Sequence, residues 1–299
     1  MRIGISPRAI LAIVLFVGVL CISAVAIAAI TSGGYTFDQS NQVTYTEVEI
    51  ARPSVSVGDL MLAAIAVNGG GSAVLNSAPT GWTLIASTSN DTNITLRSYY
   101  RVAAASDTST STYLWRFVGQ TTAEGAIIPY SGVDVSTTSP IDTLSENTGF
   151  GSLATTSSIT TNAANEAVVA LFAIDVGRNA NAGSYFSTST TPYGMTKKYD
   201  LSNTPFGPSI AAMEVIFATA SNSGSASTTI SGNKARYWAA HMIALRKGIS
   251  TATLDASGTW TAPTGVTSVT VDMWGVEVVE TQKGRLADAQ ELMSTQPLM

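Results

Sequence analysis

Gly58-Asp59-Leu60-Met61-Leu62-Ala63-Ala64-Ile65-Ala66-Val67 returns in the second half of the chain as Asn165-Glu166-Ala167-Val168-Val169-Ala170-Leu171-Phe172-Ala173-Ile174. The surroundings return with it. Pro79-Thr80-Gly81-Trp82-Thr83 matches Pro192-Tyr193-Gly194-Met195-Thr196, Val102-Ala103-Ala104-Ala105-Ser106 matches Phe217-Ala218-Thr219-Ala220-Ser221, and Ala126 to Gly132 matches Ala240 to Gly248. The order is kept at an offset of roughly 107 to 116 residues, the mark of an internal duplication with small loop insertions. The expectation is one domain over 53–248 built from two similar halves, about 53–132 and 157–248, each adding strands to both layers of a sandwich. A single half would leave an apolar sheet face uncovered.

From Thr31 onward, short runs rich in β-branched and aromatic residues alternate with Gly, Ser, Asn and Pro clusters, and no amphipathic helix of 12 or more residues interrupts them before the last twenty residues. This predicts an all-β fold, with strands at Val43 to Ala51, Leu60 to Val67, Trp82 to Thr88, Thr95 to Val102, Ser111 to Val118 and Gly125 to Tyr130 in the first half. In the second half strands are expected at Ser157 to Thr161, Ala167 to Val176, Met195 to Asp200, Ser209 to Ala218, Ala226 to Ser231 and Tyr237 to Arg246. Alternation assigns faces. Tyr113, Trp115 and Phe117 share one side against Leu114 and Arg116, while Tyr237, Ala239, His241, Ile243 and Leu245 oppose Trp238, Ala240, Met242 and Ala244.

Apolar residues make up 45% of the 299, enough for a real core, while charged residues are only 12%, so solubility rests on hydroxyls and amides. The net charge of −5 and the scattered 15 basic residues argue against a nucleic-acid partner, which needs clustered Lys and Arg. The one cysteine, Cys21, lies in the N-terminal apolar run, leaving the remainder without a thiol for a disulfide. The one histidine, His241, excludes a multi-histidine metal site.

Arg2 and Arg8 precede an uncharged run from Ala9 to Ile30. Residues 1–30 are therefore expected to act as a signal peptide, cut at Ala24-Val25-Ala26 or Ala26-Ile27-Ala28, or as a helical membrane anchor with the arginines inside. Either places the rest outside the cell or on its surface. Gly4-Ile5-Ser6-Pro7 before that run resembles the processing site of archaeal type IV pilins, with Ile3 where that family has a basic residue. The resemblance implies a helix packed into a filament core, with like subunits as partners. Cys21 is a poor lipoprotein site, since Leu20 stands where a small residue is needed.

GDLMLAAIAV, PTGWTLI, SYYRVA, YSGVD with PID, and AAHMIALRKG together resemble a jelly-roll domain of secreted bacterial and phage surface proteins, similar in architecture to concanavalin-like sandwiches. The resemblance covers about Pro53 to Lys247 and implies a jelly-roll-like antiparallel sandwich, with 31–52 as linker and first strand. Gly258 to Gly275, ending Trp274-Gly275, resembles the opening strands of a glycine-rich domain of surface and tail proteins, so 249–275 is expected to begin a second β domain. Val276-Glu277-Val278-Val279-Glu280 is what tandem GGT and GGA codons give when read one base later. The tail 276–299 is thus expected to be frameshifted, or else an ordinary charged tail.

Chemistry is sparse. A catalytic Ser-His-Asp triad would need His241, which sits mid-strand on an apolar face with no GxSxG elbow, so a core or interface histidine is expected. Glycoside hydrolysis needs two carboxylates across a cleft; Glu47, Glu49, Glu124, Asp175 and Glu214 lie on strands, and Glu214 is the foremost. Asp134 and Asp142 flank a loop and supply oxygen ligands suited to calcium, or else form turns through their backbone N–H bonds. No other cofactor is indicated. Trp82, Tyr99 and Trp238, with Asn90 and Asp91 in a polar loop, are candidates for stacking and hydrogen bonding to a sugar, although aromatics at strand spacing are usually core. Gly69-Gly70-Gly71 lacks the Lys-Ser or Lys-Thr and the helix of a phosphate loop. The expected function is therefore non-catalytic: adhesion, glycan binding or envelope structure. The alternatives are a pilus-like filament subunit, and a carbohydrate-active hydrolase or lyase.

Overall fold

The computed structural model describes residues 20–39, 45–69, 75–136, 139–176, 186–187, 194–202, 207–248, 250–254 and 266–275. The chain divides into a unit over Ala29–Gly248 and a smaller one formed by Met1–Ala28 with Ile249–Met299. Every strand pairing among the described residues is antiparallel.

The expected apolar helix over 9–30 is not what the described part of that segment forms, because Leu20–Ala28 is a strand, β1. Ile22, Val25 and Ile27 are β-branched and favour extended backbone, and β1 has a pairing partner on each side, identified below. No helix among the described residues is long and apolar enough to cross a membrane. The Gly4 to Pro7 motif lies outside the described residues, as does the tail 276–299.

In the larger unit the first half comprises β2 (Thr31–Ser32), β3 (Thr36–Gln39), β4 (Tyr45–Ala51), β5 (Leu60–Asn68), β6 (Leu75–Ser77), β7 (Thr83–Asn90), β8 (Ile94–Val102), β9 (Thr112–Thr121) and β10 (Ala123–Ser131). They make one large sheet, β2-β10-β5-β8-β7 with β3 also on β10, and one small sheet, β4-β9-β6. The second half comprises β11 (Ile141–Gly151), β12 (Leu153–Thr155), β13 (Glu166–Ile174), β14 (Thr196–Ser202), β15 (Ser209–Phe217), β16 (Ser227–Thr229) and β17 (Arg236–Leu245). Its large sheet runs β11-β17-β13-β15-β14, and β12-β16 with a bridge from Phe186 to Ile230 stands in for the small one.

The duplication is exact in topology at the large sheets. The pairs β3·β10, β4·β9 and β5·β8 nest like a long hairpin wound on itself, and β11·β17, β12·β16 and β13·β15 repeat them. Register keeps the sequence repeat to within one residue: Leu60 stands between Tyr130 and Val102, and its counterpart Ala167 between Leu245 and Ile216.

Each half keeps its strands to itself, so the expectation that each adds strands to both layers is corrected. The order of layers is small sheet, large sheet, large sheet, small sheet. Leu62, Ala64, Leu96 and Ile128 of one large sheet meet Val169, Leu171, Ala212 and Ile243 of the other. On the outer side of the first, Met61, Ile65 and Ile127 pack under Val48, Ile50 and Trp115 of the small sheet. On the outer side of the second, Phe172, Met213 and Met242 pack with Ala154, Phe186 and Ile230. Leu60 to Val67 and all of β13 are consequently buried on both faces. That is why these two segments read as unbroken apolar runs, a pattern that strict alternation would never give.

Two boundaries move. Within the stretch expected as linker and first strand, Thr31–Ser32 and Thr36–Gln39 are already strands of the sandwich paired with β10, ahead of Tyr45–Ala51, which pairs with β9. The second half starts at β11, a strand missing from the sequence expectation, whereas the expected strand at 157–161 is reduced to a bridge from Thr160 to Asn222. The outer edge of β11 is guarded against further pairing by side chains: Asn147 Oδ1 accepts from Thr148 N at 3.0 Å, and Ser157 Oγ donates to Glu146 O at 3.4 Å.

In the smaller unit β1 is the middle strand of three, between β18 (Ser250–Leu254) and β19 (Val266–Gly275). The expected β start over 249–275 thus contains two strands.

Candidate functional site

The sequence candidates for sugar stacking separate. Trp82 is buried edge-on against Tyr113 and Trp115, with ring centroids at 5.1 and 5.2 Å, and Tyr99 is buried 6.2 Å from Trp115 in the same outer layer of the first half. Both serve the core. Trp238 is buried in the outer layer of the second half, its indole lying over Gly149, where a Cβ would stand 2.3 Å from Cζ2.

The acids are mostly engaged. Asp134 accepts from Ser136 N at 3.0 Å and Ser136 Oγ at 2.7 Å, the arrangement of a turn-forming aspartate. Asp142 accepts from Asn162 N at 2.8 Å and Nδ2 at 2.9 Å and pairs with Arg246 at 3.2 Å. A guanidinium in contact with that carboxylate opposes a calcium ion there. Among the described residues no three His, Cys, Asp or Glu side chains gather as a metal site. Glu47 pairs with exposed Arg116 at 3.5 Å, Glu49 accepts from Thr112 Oγ1 at 2.7 Å, and Glu124 is fully buried. Glu214 accepts from Ser32 Oγ at 2.6 Å and Tyr130 OH at 3.0 Å and pairs with Lys198 at 3.1 Å, joining the two halves.

Two carboxyls do meet, at Asp142 and Glu166. Burial, and then the charge and hydrogen bond of Asp142, push Glu166 up to about 8. Burial works against the Asp142 carboxylate, but bonds from Asn162 and Glu166 and the charge of Arg246 hold it below the usual range. Divergent proton affinities of this kind mark acid and base pairs in enzymes. Here, however, Asp142 and Glu166 are sealed from solvent, 0% and 1% exposed.

His241 is also sealed. Its Nδ1 is 3.0 Å from Ser98 Oγ and its Nε2 2.9 Å from Thr88 Oγ1, and burial drives it down to about 3. It is an interface histidine, as expected from its strand face.

The most ligand-like surface is one the sequence did not single out. Phe150 on β11 is the register partner of Tyr237 on β17, and Asp175, just past β13, donates its N–H to Tyr237 O at 3.1 Å. Phe150, Tyr237 and Asp175 thus form a row across three neighbouring strands, on the face turned to the first half. Phe150 is 63% exposed, and its ring lies 4.7 Å from that of Tyr237 at a tilt of 46°. From the first half, Asn90 Nδ2 donates to Gly149 O at 2.7 Å and Trp238 O at 3.1 Å, bringing the turn with exposed Asp91 (φ 45°) to the end of the row. Of the sequence candidates, Asn90 and Asp91 lie at this edge, whereas Trp238 offers it only its backbone carbonyl, its indole being buried on the opposite face.

Charge sits beside the rings. Burial raises the Asp175 carboxyl above the usual carboxylate range, against the pull of Arg236. Asp175 Oδ1, Arg236 Nε and Trp238 Nε1 are buried and have no hydrogen-bond partner among the described residues. Buried atoms of this kind mark places where water or ligand hydroxyls complete the bonding; of the three, Asp175 shares the face of Phe150 and Tyr237, whereas Arg236 and Trp238 flank Tyr237 on β17 and turn to the other face. The available signal was Gly149-Phe150-Gly151, an aromatic between glycines in an otherwise polar strand.

The class these features define is an all-β sandwich with antiparallel sheets and an aromatic, charged edge. No protein-family model, no curated protein and no solved structure matches the chain.

Proposed function

We propose that this chain is a non-catalytic extracellular or cell-surface protein whose sandwich binds glycans, in adhesion or envelope structure, and that each half is a jelly roll. The three nested strand pairs of each half support the second statement. The observation that carries the first is the exposed Phe150 ring beside Tyr237, with Asp175 next in the row and the charge of Arg236 acting on that carboxyl. A pyranose offers an apolar C–H face to an aromatic ring and hydroxyls to a carboxylate and a guanidinium. A large exposed apolar side chain with a polar rim is the usual form of an interaction site.

Export rests on the apolar run after Arg8. The filament alternative requires residues 5–30 as an assembly helix, and Leu20–Ala28 is strand β1. The hydrolase alternative requires two accessible acids. Asp142 and Glu166 are sealed, and Glu214 is held by Ser32, Tyr130 and Lys198.

The test is a glycan array with the full chain. Binding is expected to fall at least tenfold in Phe150→Ala, an exposed change. No signal on any glycan, or a signal untouched by both Phe150→Ala and Asp175→Ala, rejects the proposal. Mass spectrometry of the secreted chain adds the localisation test: a start near Ile27 or Ala29 marks a cleaved export signal and a mature chain without β1, and an uncut start marks a chain that keeps it.

A further inference from the structure

The first half also carries an aromatic margin, at a different register position from that of Phe150. β11, which carries Phe150, is the first strand of its half and pairs with the last, β17. Its topological counterpart is β3, which pairs with β10, the last strand of the first half. Exposed rings occur here too: Phe37 on β3 is 47% exposed and Tyr35, just before β3, is 38% exposed, with centroids 6.1 Å apart. Tyr35 lies 5.4 Å from the ring of Tyr199 on β14, so the second half supplies a wall here as the first half does with Asn90 at the other edge.

The polar groups correspond as well. At the Phe150 margin they are Asp175 and Arg236; at the other margin Glu214 pairs with Lys198 at 3.1 Å, Lys198 being the chain neighbour of Tyr199 that Tyr35 touches, and Ser32, three residues before Tyr35, donates to the same carboxylate. Each margin therefore carries two rings, a carboxylate and a cation: at the Phe150 margin all four belong to the second half, with Asn90 reaching in from the first, while at the Tyr35 margin the rings come from the first half and the charges from the second.

We infer that the Tyr35–Phe37 edge is a second saccharide site and that the protein is bivalent. This rests on the proposal that the Phe150–Tyr237 edge binds sugar. The two edges lie at β11 and β14, opposite margins of one five-stranded sheet and four strand spacings apart, or about 19 Å. One molecule then takes two sugar chains, or two segments of one chain, and gains avidity from doing so. Tethering of this kind raises apparent affinity by 10²- to 10⁴-fold when both sites can be occupied at once. Neither site needs a second copy of the chain.

The experiment is isothermal titration of the full chain with cellohexaose, mannohexaose and chitohexaose, together with cross-linking of beads coated with the same oligosaccharides. The expected result is two sugars bound per chain and cross-linked beads. Phe37→Ala, or separately Tyr35→Ala, is expected to leave one sugar bound and to abolish cross-linking, with an unchanged near-ultraviolet spectrum from the buried tryptophans as the control for folding. Phe150→Ala should do the same from the other edge. One sugar per wild-type chain, lost in Phe150→Ala and untouched by both the Phe37 and the Tyr35 changes, overturns bivalency and leaves the glycan proposal standing. Absence of binding to these three probes and to the glycan array overturns both.

Discussion

His241 Nε2 lies 2.9 Å from Thr88 Oγ1, a hydrogen bond from the middle of one large sheet to the edge of the other. Thr88 spends its own hydroxyl proton on Glu146, so it must accept from Nε2–H. Nδ1 is then the bare nitrogen, accepting from Ser98 Oγ at 3.0 Å. One neutral tautomer satisfies the whole chain, and four side chains from four strands are placed by it. The buried ring fixes how the halves sit on each other.

That neutrality makes stability depend on acid. Burial lowers His241 to about 3, while an unfolded histidine takes its proton near 6.5. Between those values the unfolded chain holds more protons than the folded one, so stability is intact above about pH 6.5 and falls as pH drops toward 3, by up to about 1.4 kcal/mol per unit. His241→Gln keeps a donor and an acceptor but no titration. Thermal unfolding from pH 3 to 8 is expected to show a shallower acid loss for the variant. A difference between the two proteins that does not vary with pH rejects the assignment.

The opposite slope is expected at Glu166. Its carboxyl is held near 8 against about 4.3 when unfolded, so here the folded chain holds the extra proton. Stability therefore declines as pH rises through 4.3 and stops declining above about 8. Glu166→Gln preserves a donor to Asp142 without the proton to lose. The variant should gain on wild type steadily from pH 5 to 8, as read by urea midpoints; a constant gap contradicts a shared proton.

Much of this architecture was legible in the chain and some of it was hidden for identifiable reasons. The repeat at Gly58 and Asn165 located the two central strands, since segments buried on both faces must be apolar throughout. The same apolar continuity erased the alternation that would have told which face met which layer. β11 escaped because its Ser, Glu, Asn and Thr residues line an edge half in water, where no hydrophobic period is required. Trp82, Tyr99 and Trp238 were candidates by residue type, but burial is a property of what stands opposite, and the sequence does not say where a facing sheet ends. Phe150 is exposed because its neighbour ends there.

Gly149 is expected to be as important as any core residue near that edge. A methyl group at this position would lie 2.3 Å from Trp238 Cζ2 and 2.8 Å from Cε2, and the indole is packed in place by the outer core. Gly149→Ala must push the ring out of its rotamer or lift β11 from β17, at a cost of about 1–3 kcal/mol. It should also weaken the Asn90 bonds to Gly149 O and Trp238 O. Denaturant unfolding measures the first effect and amide exchange in the Asn90 turn the second. An unaltered midpoint means the indole has room that the geometry denies it.

At the opposite seam, the bond from Tyr130 OH to Glu214 Oε2 crosses from β10 to β15 and couples the halves a second time. Tyr130 is fully enclosed, so the hydroxyl has no water to turn to when its acceptor is removed. Tyr130→Phe and Glu214→Gln should each destabilise, and a double-mutant cycle should return a coupling of about 1–3 kcal/mol, the range for a hydrogen bond to a charged group. Lys198 reaches the same carboxylate at 3.1 Å from a more exposed position, and Lys198→Ala should cost less, about 0–1 kcal/mol. If the lysine change proves the larger, the seam is held by charge and not by the buried hydroxyl, and raising the salt concentration should then weaken it.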